Sequence, residues 1–317
     1  MNLNNSKRII SPLLLLLAAL IWGFAFSAQK EASSTPPLIL GSMRSLLAAL
    51  FLGAIIFTVD SVKKKKAKGS PLKPKRKFSK EELISGGICG IVLALTNLFQ
   101  QLGLMGGTSA SKASFIIALY ILLVPLYELF LGKIPNLKAI ISIIISVPGF
   151  YLLCSVESFA VSLSDLFIIG STLVFPIYIL TIDKYSDRIN PFKMSFIQFA
   201  VSAAASLIPA VIFELPADVN IIYSDLPYII LLGIGSSGIA YTLQVIGQKG
   251  VNPTVSALIL SLESVFGAIG AALFLNENMK SNEIFGAVLI FIAVILSQIE
   301  FTRKEKNESN QKAKNTK

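Results

Sequence analysis

The sequence predicts an all-α integral membrane protein of ten transmembrane helices, arranged as two inverted five-helix repeats. Three observations carry this. The 317 residues are 54% hydrophobic, with a mean hydropathy of +0.72, and only 15% are charged; a soluble chain would carry about 25%. The apolar residues gather in runs of membrane length. Finally, residues 97–134 align without a gap on 241–278 at an offset of 144, pairing Gln100 with Gln244, Gly103 with Gly247, Gly106 with Gly250, Ala113 with Ala257 and Phe130 with Phe274. Each copy lies near the end of a half holding about five runs. An odd number of crossings makes the second half enter the membrane from the opposite side.

Taken in order, the runs cover 10–28, 38–58, 83–104, 110–131, 137–154, 163–182, 192–213, 226–247, 251–275 and 283–300. Most reach about 18 residues, enough for a helix to cross roughly 30 Å of hydrocarbon. Helices are required because backbone groups in lipid must pair within the segment. Short connections are punctuated by Pro36-Pro37, Pro135-Asn136, Asn190-Pro191 and Asn252-Pro253. The first run follows Lys7 and Arg8 and contains the small-x-small string Ala25-Phe26-Ser27. It exceeds the 7–15 residues of a typical signal-peptide core, so it reads as an uncleaved first span. The resulting organisation is an N-terminal segment 1–9, a first repeat 10–154 with a basic loop 59–82, a second repeat 163–300 and a basic tail 301–317.

Basic residues orient the chain. With the N-terminus inside, 24 of the 28 Lys and Arg residues fall in inside segments. Lys30 and Lys280 lie in outside loops, Lys112 at the outer start of the fourth run and Arg44 within the second. Glu157, Glu214, Asp218 and Asp225 occupy outside loops that lack Lys and Arg. The loop after the second run holds ten basic residues and its counterpart after the seventh holds none, as inversion requires. The expected location is a bacterial cytoplasmic membrane, crossed many times, with both termini cytoplasmic. The segment Lys63–Lys80 reads as a topology determinant or as a contact for anionic lipid head groups.

Several function classes are excluded. The net charge of +10 is confined to loops and tails without aromatic interleaving, so no nucleic-acid partner is expected. Histidine is absent, which removes Ser-His and Cys-His catalysis and His-ligated zinc. Cys89 and Cys154 have no metal or disulfide spacing and read as buried thiols. No metal or cofactor is expected, and no Walker motif supplies nucleotide energy. Gly233-x-Gly235-x-x-Gly238 matches a dinucleotide fingerprint as a string, but inside an apolar run it has no strand–helix context. With Ser236, Ser237 and Ala240 it reads as close helix packing, as do Gly86-x-x-x-Gly90 and Gly103-x-x-x-Gly107. Pro125, Pro148, Pro176 and Pro209 are candidate kinks or hinges.

Polar and ionisable residues within spans are the functional candidates, because an intramembrane charge costs about 2.5–3.5 kcal/mol and needs a cavity or partner. Glu263, at the midpoint of the ninth run, reads as a substrate contact, a proton-coupling carboxylate or an interhelical hydrogen-bond group. Arg44 reads as an anion or carboxylate partner, or as a side chain snorkelling outward. Glu128 lies near the inner end of the fourth run. Asn97 and Gln101 are four apart on one helix face; Asn97 superposes on Tyr241 and Gln100 on Gln244. Polar faces on equivalent helices of two repeats meet near the pseudo-two-fold axis, where a midplane site belongs, or serve only packing. Trp22, Tyr120 and Tyr178 add aromatic rings with polar handles, as interfacial anchors or cavity walls.

With these residues in view, the chain resembles the EamA-type family of the drug/metabolite transporter superfamily over about 10–300. The resemblance rests on Ile21-Trp22-Gly23, Arg44, Gly107-Thr108-Ser109-Ala110-Ser111-Lys112-Ala113-Ser114, Pro253, Ala257, Ser261-Leu262-Glu263 and Asn276-Glu277. Ser264, where many members have Pro, and Asn276, where Gly is common, depart from the pattern. The resemblance implies ten helices in two inverted repeats and transport of small organic solutes, frequently efflux of amino acids or related metabolites. It implies a central cavity including Trp22, Asn97, Gln101, Tyr120, Tyr178, Tyr241 and Glu263. The expected activity is a secondary exporter working by alternating access, with Gln244 a further substrate contact and Glu263 and Arg44 as proton-coupling or charge-pairing groups. An uncoupled facilitator or exchanger, and an intramembrane lipid-modifying enzyme, are the alternatives. The expected partners are a small-molecule substrate and membrane lipids; the oligomeric state stays open, a monomer being compatible.

Overall fold

Helices account for nearly all of the computed structural model, which describes residues 3–66, 78–108, 110–135, 137–153, 161–274 and 280–297. The first half supplies α1 (Leu3–Glu31), α2 (Pro37–Lys66), α3 (Lys80–Met105), α4 (Ala110–Ala118), α5 (Tyr120–Phe130) and α6 (Leu137–Leu153). The second supplies α7 (Leu163–Tyr185), α8 (Pro191–Phe213), α9 (Val219–Ile230), a π-helical stretch Leu231–Ala240, α10 (Tyr241–Gly247), α11 (Pro253–Leu260), α12 (Glu263–Phe274) and α13 (Ser281–Ser297). Among the described residues seven helical runs are long and apolar enough to cross a membrane, and three apolar helices, 115–130, 137–153 and 281–297, are shorter. Cys154 and Asn276-Glu277 lie outside the described residues.

Helix ends follow the local chemistry. Ser79 and Ser162 form capping boxes with Glu82 and Asp165 at the starts of α3 and α7. Asn190-Pro191 and Asn252-Pro253 each place an Asn cap before a Pro in the first turn of α8 and α11. Helices outrun the predicted apolar runs at several ends, notably α3 and α9. Backbone hydrogen bonding continues into polar sequence beyond the hydrocarbon-length core.

The sense of each helix shows the inversion directly. Gly41 and Gly53 of α2 approach Ser206 and Phe196 of α8, so these two run antiparallel. Gly86 and Gly90 of α3 approach Ile197 and Val201 of α8, so these run parallel. Gly103 and Gly106 of α3 face Ile168 and Ser164 of α7, an antiparallel pair. Gly233 and Gly238 meet Leu47 and Phe51 of α2 in parallel, whereas Gly247 meets Leu14 and Trp22 meets Ser236, so α1 opposes the π–α10 segment. It follows that α1 and α7, the first helices of the two halves, point in opposite directions.

The contacts also exchange under that pairing of halves. The α3–α7 contact has its mate in α1 with the π–α10 segment, α3–α8 in α2 with the π stretch, and α4 and α5 on α7 in α11 and α12 on α1. The α2–α8 contact is its own mate, and α5–α11 has its mate in α4–α12. This is the pattern a two-fold relation produces. Even the end ties repeat it. Glu82 at the start of α3 accepts from the Asn190 N–H (3.0 Å) before α8, and Asp225 of α9 accepts from the Thr35 hydroxyl (2.6 Å) before α2. Glu214 completes the second tie by accepting from the N–H groups of Leu38 and Ile39, where the helix dipole favours a carboxylate.

Two expectations change. The fourth and ninth runs are not continuous helices: one breaks at Leu119, between α4 and α5, and the other at Ser261-Leu262, between α11 and α12. The breaks coincide to within two residues under the offset of 144, and i→i+3 bonds tighten both turns. Pro125, Pro148, Pro176 and Pro209 all sit inside helices that continue through them, so neither break is a proline break. Gly107 is a second correction. Its φ is +102° and a Cβ there would meet nothing within 4 Å, so it reverses the chain after α3 rather than packing a helix. Gly86, Gly90, Gly103, Gly233 and Gly238 do pack closely, each with a neighbouring helix where a Cβ would sit.

Candidate functional site

Both helix breaks face a cavity at mid-span of the bundle. Trp22, Arg44, Asn97, Tyr120, Tyr241 and Glu263 line it together, drawn from six different spans. Its free volume is about 60 Å³. That space suits a few water molecules, so a metabolite enters only if the walls part.

Gly23 explains how the carboxylate arrives there. A Cβ on Gly23 would lie 2.7 Å from the Glu263 carbonyl and 2.6 Å from Phe266 Cβ. The missing side chain lets α1 press against the break in the ninth span, while the preceding Trp22 turns into the cavity. Glu263, the first residue of α12, reaches the same space. Among the described residues no hydrogen bond joins its carboxylate to another side chain.

Arg44 is buried, with 4% of its surface exposed, and it does not snorkel. Its Nε donates to Ser237 Oγ (3.1 Å), Nη2 to Ser236 Oγ (3.2 Å) and Nη1 to Gln29 Oε1 (3.5 Å). Three neutral acceptors thus hold a full cation at the cavity wall. No ion pair joins it to Glu263, although both line the cavity. The π stretch supplies the two serines, and its Ser236 carbonyl also accepts from Trp22 Nε1 (3.3 Å). The Gly-rich string is therefore both a packing surface and the cradle of Arg44.

Aromatic rings form the remaining wall. Trp22 and Tyr241 lie 4.6 Å apart between centroids. Tyr241 meets Tyr178 and Phe199 edge-on at 5.6 Å, and Tyr120 meets Phe175 at 5.2 Å. Such contacts fix ring positions beyond what burial alone does.

Three predicted residues fall outside the lining. Tyr178 stacks behind Phe175 and donates to Gln198 Oε1 (3.2 Å). Gln244, one turn beyond Tyr241, donates to Gln248 (3.5 Å), and Gln248 donates to the Ile179 carbonyl (2.7 Å). Gln101 is buried at 2% exposure, while its neighbour Gln100 reaches the cavity. Both sit within 60° of Asn97 on an ideal α3, so sequence spacing cannot choose between them. Sequence reasoning also missed Gln29, Ser171, Thr172, Phe175 and Ser236. Gln29 carried a signal, being an amide near the end of an apolar run; the small hydroxyl residues did not.

The bundle closes unevenly around this space. Toward the end carrying Lys133, Lys184 and Lys249, the layer of Tyr178, Ile179, Ile182, Met194, Gln244 and Leu258 is fully buried. Thr254 donates to Glu128 there (2.6 Å), joining α11 to α5, and Lys133 pairs with Asp183 (2.9 Å). That carboxylate holds the Lys133 ammonium above its ordinary range. Toward the other end lies a smaller apolar cluster of Ala25, Ala28, Ala32, Leu40, Ile229 and Leu232. Among the described residues no cluster of Asp, Glu or Cys is arranged to hold a metal ion.

Comparison with known proteins agrees with this architecture. An uncharacterized transporter of Archaeoglobus fulgidus is 28% identical over 296 residues, covering 92% of this chain and 86% of its own. A second uncharacterized transporter of the same organism is 26% identical over 130 residues, covering 41% of this chain and 45% of its own. A protein of known crystal structure superposes with a TM-score of 0.70 at 17% identity, covering 93% of this chain and 98% of its own, a likeness of fold alone. The EamA-like transporter family matches twice, over residues 9–155 and 162–298, one match for each inverted half. The chain is thus a multi-pass membrane protein that belongs to the EamA-like transporter family of the drug/metabolite transporter superfamily.

Proposed function

We propose that this protein exports a small zwitterionic metabolite, an amino acid or a related compound, across a bacterial cytoplasmic membrane by alternating access. One observation carries the reading. A buried guanidinium and a carboxylate line the same mid-span cavity without pairing with each other, beside an aromatic wall. Arg44 suits a substrate carboxylate, Glu263 a substrate ammonium, and Trp22 with Tyr241 an apolar side chain. Unpaired charges this deep are costly unless a ligand or proton meets them.

In this reading the three shorter helices also cross the membrane, since their 16 or 17 residues span about 24–26 Å and a bilayer thins locally. Both termini are cytoplasmic, in keeping with the bias of basic loops. The thick buried layer then closes the cytoplasmic side, and the smaller apolar cluster is the side on which this state opens. The two halves rock about the shared cavity, enlarging it for the substrate. The proton gradient drives the cycle through Glu263, whose protonation competes with binding of the substrate ammonium.

Reconstituted protein tests this. A pH gradient should drive uphill amino-acid flux in wild-type proteoliposomes, while Glu263→Gln retains exchange at equal pH and loses the response to the gradient. Wild-type flux indifferent to the gradient identifies an uncoupled exchanger instead. Unchanged coupling in Glu263→Gln removes Glu263 from the mechanism.

A further inference from the structure

The seam between α2 and α8 is open along its membrane-facing side. A groove of about 730 Å³ runs there. Its floor is made of small residues, including Gly53, Ala200 and Ala204, and Leu46, Leu50, Phe57 and Leu207 stand exposed along its edges. The lining has one hydroxyl, Ser42, which is turned back to donate to the Ile39 carbonyl (2.9 Å). Along α2 the groove extends from Ser42 to Phe57, about 22 Å at the helical rise. That exceeds the depth of one leaflet of hydrocarbon, about 15 Å.

The end of the groove names its occupant. Phe196, which lines it, stacks on Phe78 at 5.9 Å with the rings 6° apart, and Lys193 Nζ lies 5.6 Å from the Phe78 centroid. On the opposite wall α2 passes Phe57 and ends in Lys63, Lys64, Lys65 and Lys66, about 9–14 Å further along its axis. An apolar trough thus runs out between two cationic helix ends. The segment 59–82 holds ten basic residues against Asp60, Glu81 and Glu82, and Glu82 is taken by the N–H groups of Ser79 and Asn190. A second copy docked two-fold about the membrane normal would set one lysine cluster against another. An anionic lipid neutralises it.

We propose that the α2–α8 groove binds one acyl chain of an anionic phospholipid, with its head group at the basic end, where Lys193 lies in the first turn of α8 and the lysine-rich end of α2 lies opposite. The site is separate from the mid-span cavity and does not depend on the transport reading. It lies on the self-paired seam of the two-fold relation, so a bound lipid touches both repeats at once.

Native mass spectrometry of the full chain in mild detergent, with equimolar phosphatidylglycerol and phosphatidylcholine of matched acyl chains, tests the proposal. Wild type should retain phosphatidylglycerol over phosphatidylcholine by about fivefold or more, the scale of one basic residue near a head group. Lys193→Gln combined with Lys63→Gln, Lys64→Gln, Lys65→Gln and Lys66→Gln should bring the two lipids to parity. Ala200→Phe with Ala204→Phe should lose both lipids while leaving the melting temperature unchanged, because both alanines are exposed. If that pair misfolds, the lysine set decides alone. Equal retention by wild type, or selectivity that survives the lysine set, overturns the proposal. So does a dimer that the phenylalanines dissolve, since it would show that a second copy fills the groove.

Discussion

Thr254 donates to Glu128 across 2.6 Å, and this buried bond fastens the start of α11 in the second repeat to the end of α5 in the first. Thr254→Val keeps the shape and removes the donor. We expect a loss of about 1–3 kcal/mol in melting experiments, the usual cost of orphaning a buried polar group. The same change should loosen the closed side of the bundle. In a background carrying Cys89→Ala and Cys154→Ser, Ser256→Cys is a single thiol probe at a fully buried position. A membrane-impermeant thiol reagent applied to inside-out vesicles should label it several-fold faster once Thr254→Val is added. Equal labelling would mean that the bond does not help to close this side.

Lys133 and Asp183 make a contrasting pair at the same end. Their side chains are 53% and 24% exposed, so solvent screens the attraction. Lys133→Gln should shift stability by no more than about 1 kcal/mol. Because the folded ammonium is held above its ordinary range, the contribution is present below the unfolded lysine value of about 10.4 and fades only as pH rises through the folded one. Melting curves of wild type and Lys133→Gln should therefore differ by a constant amount from about pH 6 to about pH 9.

The planar guanidinium of Arg44 donates to three acceptors, on Ser237, Ser236 and Gln29. A lysine ammonium cannot reproduce that geometry. Arg44→Lys should lower apparent ligand affinity by tenfold or more, about 1.4 kcal/mol, read as a reduced ligand-induced thermal shift. Wild-type affinity in Arg44→Lys would reduce Arg44 to a point charge.

Trp22 is the only tryptophan in the chain and lines the cavity beside Tyr241. Intrinsic fluorescence thus reports this site without a label. Titration with a transported amino acid should shift or quench the emission saturably, and Arg44→Lys should move the midpoint upward. Transport without any change in emission would place the substrate elsewhere.

Gly23→Ala would set a Cβ against Phe266 Cβ at 2.6 Å, with backbone atoms of Glu263 and Gly267 almost as near. Overpacking there should cost about 1–3 kcal/mol. Gly87→Ala is the control, since its Cβ would meet nothing within 4 Å and should raise stability by up to about 1 kcal/mol through helix propensity. Melting temperatures moving in the same direction for both would contradict the packing at the ninth-span break.

Much of the fold was legible because its signals are local. The duplication of Gln100, Gly103 and Gly106 in Gln244, Gly247 and Gly250 announced two related halves, and Gly103 and Gly247 do the same work, each admitting a helix from the opposite half. The site was legible only in part. Trp22, Arg44, Asn97, Tyr120, Tyr241 and Glu263 meet at one cavity, whereas Gln101, Tyr178 and Gln244 stand outside its lining. Residue type marked all nine, but a ring or amide inside a span has the same signature whether it faces a cavity or a neighbouring helix.

By itself the sequence determined that this chain spans a membrane in apolar helices, that it consists of two inverted halves, and where its polar residues lie along each span. Those follow from transfer free energies and charge placement, which are summed segment by segment. Only the tertiary structure decided that Gln100 rather than Gln101 reaches the cavity, that the fourth and ninth spans break beside it, and that Ser236 and Ser237 hold Arg44. Each of these is set by where a helix of one repeat meets a helix of the other, across separations such as the 193 residues between Arg44 and Ser237, and no local property of the chain encodes that meeting.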